Sequence, residues 1–262
     1  MLWIATTLVA SVAQTARNAL QSSLTATLGT LGATLVRFVY GLPFALVFLV
    51  AMAAAAHARV PPPTAAFVAY AAAGALAQIA GTALLLAAMQ ARSFAVATAL
   101  SKTEAVQVAV FGFAMLGDAL TVPRALAVLV ATAGVLMVAV QPGQTWDRQS
   151  LKPALLGVAS GAFFALASVS FRGAILALPE GPYFLRATTA LAWSLSIQVG
   201  VLGVWLAIAN RAALLRSAVV WRQSLFAGFM SAFASQLWFL GFSLTAAANV
   251  RTLALVEVVF AQ

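Results

Sequence analysis

Apolar positions run through this chain in long blocks, interrupted by short polar or turn-forming strings. Nine apolar segments are read, at roughly 2–21, 31–54, 65–90, 93–116, 122–141, 151–172, 184–209, 223–245 and 247–262. A helix needs about 20 apolar residues to cross a bilayer, and most of the blocks reach that length. The separators include HARVPPP at 57–63, GDALTVPR at 117–124, QPGQTWDRQS at 141–150, LPEGP at 178–182 and NRAALLRS at 210–217. Pro61, Pro62 and Pro63 stop a helix because proline lacks the amide donor. Pro153 suits the first turn of the sixth segment for the same reason. Pro43, inside the second segment, predicts a kink. An open sheet cannot satisfy its edge in lipid, so all nine segments are predicted to be helices. The opening MLWIATTLVASVAQTA has the apolar run of a signal peptide without its basic start, and is read as the first helix.

Composition narrows the class further. Hydrophobic residues fill 64% of positions and charged residues 7%, with a mean hydropathy of +1.04. A soluble domain carries about 25% charge, so a water-soluble fold is excluded. The net charge is +9, from 14 basic against 5 acidic residues. The basic residues are scattered singly, without the clustered stripe that binds nucleic acid, so no nucleic-acid partner is expected. Arg59, Arg124, Arg148, Arg172, Arg211, Arg216 and Arg222 are read as lying between spans, where membrane proteins place positive charge. There is no cysteine, and the single histidine, His57, falls in a loop. The usual thiolate, metal and acid–base constellations are therefore missing, as is a glycine-rich phosphate cradle. The chain is read as a non-enzyme that needs no cofactor.

The second half repeats the first. LVRFVYGLPFALVFL around Arg37 is similar to FLRATTALAWSLSIQ around Arg186, and ARSFAVATALSKTEAVQVAV to LTAAANVRTLALVEVVFAQ. The second match places Glu104 on Glu257, Gln78 on Ser231 and Thr82 on Ser235, an offset of 153. Residues 1–142 form the first repeat and 143–262 the second. Five helices precede the second copy, an odd number, which inverts it in the membrane. The first copy runs about 35 residues past Glu104, whereas Gln262 lies five past Glu257. A tenth helix is therefore expected to follow.

ALSKTEAVQVAVFGFAMLGDALTVPRALAVLVATAGVLMV resembles the closing half of an EamA-type repeat of the drug/metabolite transporter superfamily. Glu104 matches the glutamate of the family's fourth helix, Gly117-Asp118 takes the place of Gly-Glu, and Gly134 is the late glycine of the fifth helix. Arg37-Phe38 is similar to the Arg-Phe opening the second helix, and Glu257 repeats the glutamate in the second copy. Ala105 and Val258 stand where the family usually has proline, so the resemblance is to a divergent member. It implies ten helices in two inverted five-helix repeats, a central cavity, and secondary transport of small metabolites such as amino acids, often outward. It also implies a cytoplasmic N-terminus, whereas loop charges count three inside against six outside for that orientation, the reverse of the positive-inside expectation.

Charged groups within the spans cost about 2.5–3.5 kcal/mol each on insertion scales, so each needs a reason. They are Arg17, Arg37, Lys102, Glu104, Arg186, Arg251 and Glu257. Arg37 and Arg186 lie near segment ends and are read as snorkelling to the headgroups. Gln14, Arg17, Asn18 and Gln21 recur at i, i+3, i+4 and i+7, one stripe that must face a wet cavity or neighbouring helices. On a regular helix Lys102 and Glu104 point about 200° apart, so one is expected to line the cavity and the other to pair with a neighbour. Arg251 and Glu257 pose the same question. Ser231, Ser235, Trp238 and Phe242, with Gln236 alongside, make a hydroxyl and aromatic face suited either to a ligand or to packing, and Trp193 is read the same way. Gly157 and Gly161 form a small-residue packing site.

The candidate cavity residues are thus Gln14, Arg17, Asn18, Gln78, Lys102, Glu104, Ser235, Trp238, Arg251 and Glu257. Lys102 or Arg251 suits a carboxylate on the substrate, and Glu104 or Glu257 suits proton coupling. The expected setting is a bacterial inner membrane. A membrane enzyme on lipid-linked substrates and a non-transporting receptor or assembly subunit are the alternatives.

Overall fold

A computed structural model describes residues 1–91, 94–139, 148–211 and 221–257 of the chain. The separators at 141–147 and 212–217, Arg92, and residues 258–262 of the ninth segment lie outside the described residues. The described residues are almost entirely helical: α1 (Leu2–Val39), α2 (Leu42–Ala56), α3 (Ala65–Ala91), α4 (Phe94–Ser101), α5 (Glu104–Leu116), α6 (Val122–Ala139), α7 (Arg148–Ala177), α8 (Tyr183–Ala209), α9 (Trp221–Leu244) and α10 (Ala247–Leu253), followed by a 3₁₀ turn, Ala254–Val256.

Six stretches among them are long and apolar enough to cross a membrane: Gly32–Ala56, Ala65–Gln90, Ala97–Leu116, Leu151–Ala177, Tyr183–Ala209 and Trp221–Leu244. The distribution of side chains points the same way. Val50, Val130 and Ile208 stand 70%, 70% and 83% exposed on the outer faces, while Arg17, Arg37, Lys102, Glu104 and Glu257 are buried inside. That is the inverse of a water-soluble fold and the arrangement lipid favours. The chain is an α-helical membrane protein. The first segment falls outside the six because its own stripe of Gln, Arg and Asn lowers its apolarity.

Three segments depart from the pattern read in the sequence. α1 runs through the expected gap after residue 21, interrupted only at Gly29 (φ 71, ψ 169). There the chain folds back: Gln21 Nε2 donates to the Ala33 carbonyl at 3.2 Å, although twelve residues of straight helix would separate them by about 18 Å. The kink expected at Pro43 appears just before it, at Tyr40–Gly41, with proline in the first turn of α2. The fourth segment is split at Lys102–Thr103. Lys102 N–H donates to Ala99, Thr103 N–H to Leu100 and Ala105 N–H to Lys102, all three residues back instead of four. The hydroxyls of Ser101 and Thr103 donate to the carbonyls of Thr98 and Leu100. Such back-bonding competes with the helical ladder and tightens it locally.

Arg172 is not a loop charge. It lies inside α7, half-buried, with Nη1 donating to the carbonyls of Phe242 (2.8 Å) and Thr245 (2.5 Å) and Nη2 3.6 Å from Asp118. The cation thus sits on the orphan carbonyls that end α9, where a positive charge is favoured.

Two antiparallel helix pairs frame the interior. α3 packs along α7, from Thr64 donating to the Ala177 carbonyl, past Gly74 against Phe171, to Ser160 donating to the Gly81 carbonyl. The first part of α1 packs on α9, where Gly241 lies beside Thr7 and Trp238 bonds Gln14. Gly157 and Gly161 act as the packing site their spacing suggests. A Cβ on Gly161 would lie 2.7 Å from the Ser101 carbonyl and 3.1 Å from Glu104 N, so α7 rests directly on the α4–α5 break.

Candidate functional site

The stripe on α1 faces inward and meets Glu257, just past the 3₁₀ turn that follows α10. Glu257 is fully buried and accepts from three donors: Lys102 Nζ at 2.5 Å, Gln14 Nε2 at 2.9 Å and Asn18 Nδ2 at 3.3 Å. Gln14 Oε1 in turn accepts from Trp238 Nε1 at 2.8 Å. Arg17 donates through Nε and Nη2 to Asn18 Oδ1, at 3.2 and 2.7 Å. Each of these groups is satisfied by another, as buried polar atoms require.

A second carboxylate sits across from the first. Glu104, opening α5, pairs with Arg251 Nε at 2.9 Å. Ser168 on α7 accepts from Arg251 Nε at 2.9 Å, and its own proton has two acceptors in reach, Glu104 at 3.3 Å and the Phe164 carbonyl at 2.8 Å. The Arg251 guanidinium also lies over the Trp238 ring (4.6 Å to the centroid) and near that of Phe242 (5.4 Å). The two ion pairs therefore cross: the α4–α5 break supplies the cation for Glu257, and α10 the cation for Glu104.

Arg37 does not snorkel. It is 4% exposed and turned inward, donating to Thr82 Oγ1 at 2.7 Å and Ser231 Oγ at 3.2 Å. The turn at Tyr40–Gly41 and the fold-back at Gly29 carry it into the bundle, although it stands near a segment end in the sequence. Arg186 is half-buried in the first turn of α8.

Gln14, Arg17, Asn18, Gln78, Lys102, Glu104, Ser235, Trp238 and Arg251 line one internal cavity, and Glu257 lies in its wall through Lys102, Gln14 and Asn18. Lys102 and Glu104 both line it, contrary to the 200° separation of a regular helix, because the helix is not regular between them. The space measures about 20 Å³, against roughly 10–15 Å³ for a single water. No metabolite fits a space of that size. Gln78 accepts from Gln198 Nε2 at 2.7 Å, Gln236 donates to Thr188, and Trp193 packs edge-on against Phe67, away from the cavity. Sequence reasoning missed Ser168 and Gln198, single polar groups in apolar helices with no periodic signature, and named Thr82 only through the repeat match. Among the described residues, no group of three His, Asp or Glu is placed to hold a metal.

No family model and no curated protein matches the chain. A solved structure titled only as the crystal structure of a protein matches with a TM-score of 0.63 at 14% identity, covering 98% of this chain and 85% of the other. At that identity the likeness is one of fold alone.

Proposed function

We propose that this chain is a secondary transporter of the EamA type, built from two inverted five-helix repeats, that moves a small polar metabolite across a bacterial inner membrane. The observation that carries the proposal is the pair of helix breaks. One falls at Lys102–Thr103 and the other at the 3₁₀ turn Ala254–Val256, positions matched by the repeat offset, and crossed ion pairs join them around a central cavity. Discontinuous helices at corresponding places in two halves are where inverted-repeat transporters hold their substrates.

The packing supports the repeat. Exchanging the two halves turns the α1–α9 pair into the α7–α3 pair, and these two antiparallel pairs are the most extensive in the bundle. The same exchange swaps the helpers of each carboxylate. Glu257 takes amide donors from the first helix of the first repeat, and Glu104 faces a hydroxyl on the first helix of the second.

The small cavity corresponds to an occluded form, which opens to one side when the ion pairs at either break let go. A proton reaching Glu257 would release Lys102, and protons are accordingly the proposed coupling ion. Reconstitution in vesicles tests the reading. Uptake or efflux of a metabolite that responds to an imposed pH gradient supports it, and vesicles no more permeable than empty ones across a broad metabolite panel count against it.

A further inference from the structure

The charges around the cavity do not cancel. Four cations contribute to its wall, Arg17, Arg37, Lys102 and Arg251, against two carboxylates, Glu104 and Glu257. Lys102 and Arg251 are taken by Glu257 and Glu104. Arg17 and Arg37 have no carboxylate within 4.0 Å among the described residues, and the polar partners seen are neutral oxygens, Asn18 Oδ1 for one and the hydroxyls of Thr82 and Ser231 for the other. Neutral oxygens orient a guanidinium without cancelling its charge. Of the remaining acids, Asp118 pairs with Arg172, Glu180 is exposed in the loop after α7, and Asp147 lies outside the described residues. Arg17 shares the field of Glu257 with Lys102, and Arg37 has no such neighbour, so the cluster of described residues keeps two positive charges in excess, an arrangement that is costly unless a counter-charge arrives.

Resting on the transport reading, we infer that the substrate is a small organic dianion, a dicarboxylate or a phosphate monoester, received by Arg17 and Arg37. A guanidinium fork matches both oxyanion types in geometry. Trp238, Phe239, Phe242 and Phe171 supply apolar walls for the body of such a molecule. A zwitterion is a poorer fit, because its ammonium needs an open acceptor. Glu257 already takes three donors and Glu104 is held by Arg251. Lys102 and Arg251, the cations the sequence offers for a substrate carboxylate, are the ones already neutralised.

The test uses the purified full chain at neutral pH, with thermal unfolding in detergent and counterflow in vesicles, against succinate, glycerol phosphate, lactate, alanine and choline. Succinate or glycerol phosphate is expected to raise the melting temperature and to exchange, and the two arms tell carboxylate from phosphate. Arg17→Gln and Arg37→Gln are expected to weaken that protection about tenfold or more. Their ligand-free melting temperatures should not fall, since each removes one of the positive charges in excess, whereas arginines with a merely structural role would lower them. The wild-type panel stands even where a variant fails to fold. Protection and exchange by alanine or choline alone would overturn the dianion assignment and leave transport intact. Vesicles that move none of the compounds, on a protein that none protects, would overturn both.

Discussion

Lys102 and Glu257 are 155 residues apart in sequence and 2.5 Å apart in space, and each stands where its own helix loses regular geometry. The pair ties the break in the fourth segment to the break in the ninth. Removing one partner leaves a buried charge alone, a loss of about 3–5 kcal/mol, whereas removing both is often close to neutral. Lys102→Met and Glu257→Gln are each expected to lower the melting temperature strongly, and the double variant to recover most of the loss. Effects that simply add in this cycle would show that the two residues do not act as a pair.

Gln14 holds Glu257 on one side and Trp238 on the other, so it sets where both point. A hydrogen bond to a charged group contributes about 1.5–3 kcal/mol. Gln14→Leu is expected to reduce transport about tenfold or more while folded yield in the membrane changes little. Parallel losses of yield and transport would make the residue part of the packing alone.

Gly161 tests the contact of α7 with the α4–α5 break. A Cβ there would meet the Ser101 carbonyl at 2.7 Å, and relieving such overpacking costs about 1–3 kcal/mol. Gly161→Ala should destabilise by that amount in thermal unfolding. Gly203→Ala, where nothing lies within 4 Å, should be neutral or slightly stabilising.

Arg172 closes the end of α9 through two carbonyls and reaches Asp118 as well. Arg172→Gln is expected to cost about 1–2 kcal/mol and to speed amide exchange around Thr245. Unchanged exchange there would remove the capping role.

Much of the interior is legible in the amino-acid order alone. The stripe of Gln14, Arg17, Asn18 and Gln21 can be read because a helical period in polar residues has no other use in an apolar segment. Glu104 and Glu257 stand out because carboxylates are so costly in lipid. The relation of Lys102 to Glu104 escapes such a reading, because 100° per residue assumes an unbroken ladder. The hydroxyls of Ser101 and Thr103 are the available sign that the ladder tightens there. Arg37 escapes it for a different reason. Distance from a segment end along the chain says little once Gly29 folds that chain back on itself. Ser168 and Gln198 carry no pattern at all, and only tertiary packing brings each to its partner.

The glycines on α7 have a mechanical meaning too. With no side chain at 157 or 161 to act as a cushion, α7 meets the α4–α5 break nearly backbone to backbone, and Phe171 and Phe164 lock it to Gly74 and Gly81 of α3. α3, α7 and the α4–α5 break thus meet with no room for a side chain between them. Gly29 is different: its backbone is already outside the helical region, and among the described residues nothing stands within 4 Å of where a Cβ would be. The arm of α1 before Gly29, bearing Gln14, Arg17 and Asn18, is thus held by its packing on α9 and its bonds to Glu257 and Trp238, and not by continuity with the rest of α1.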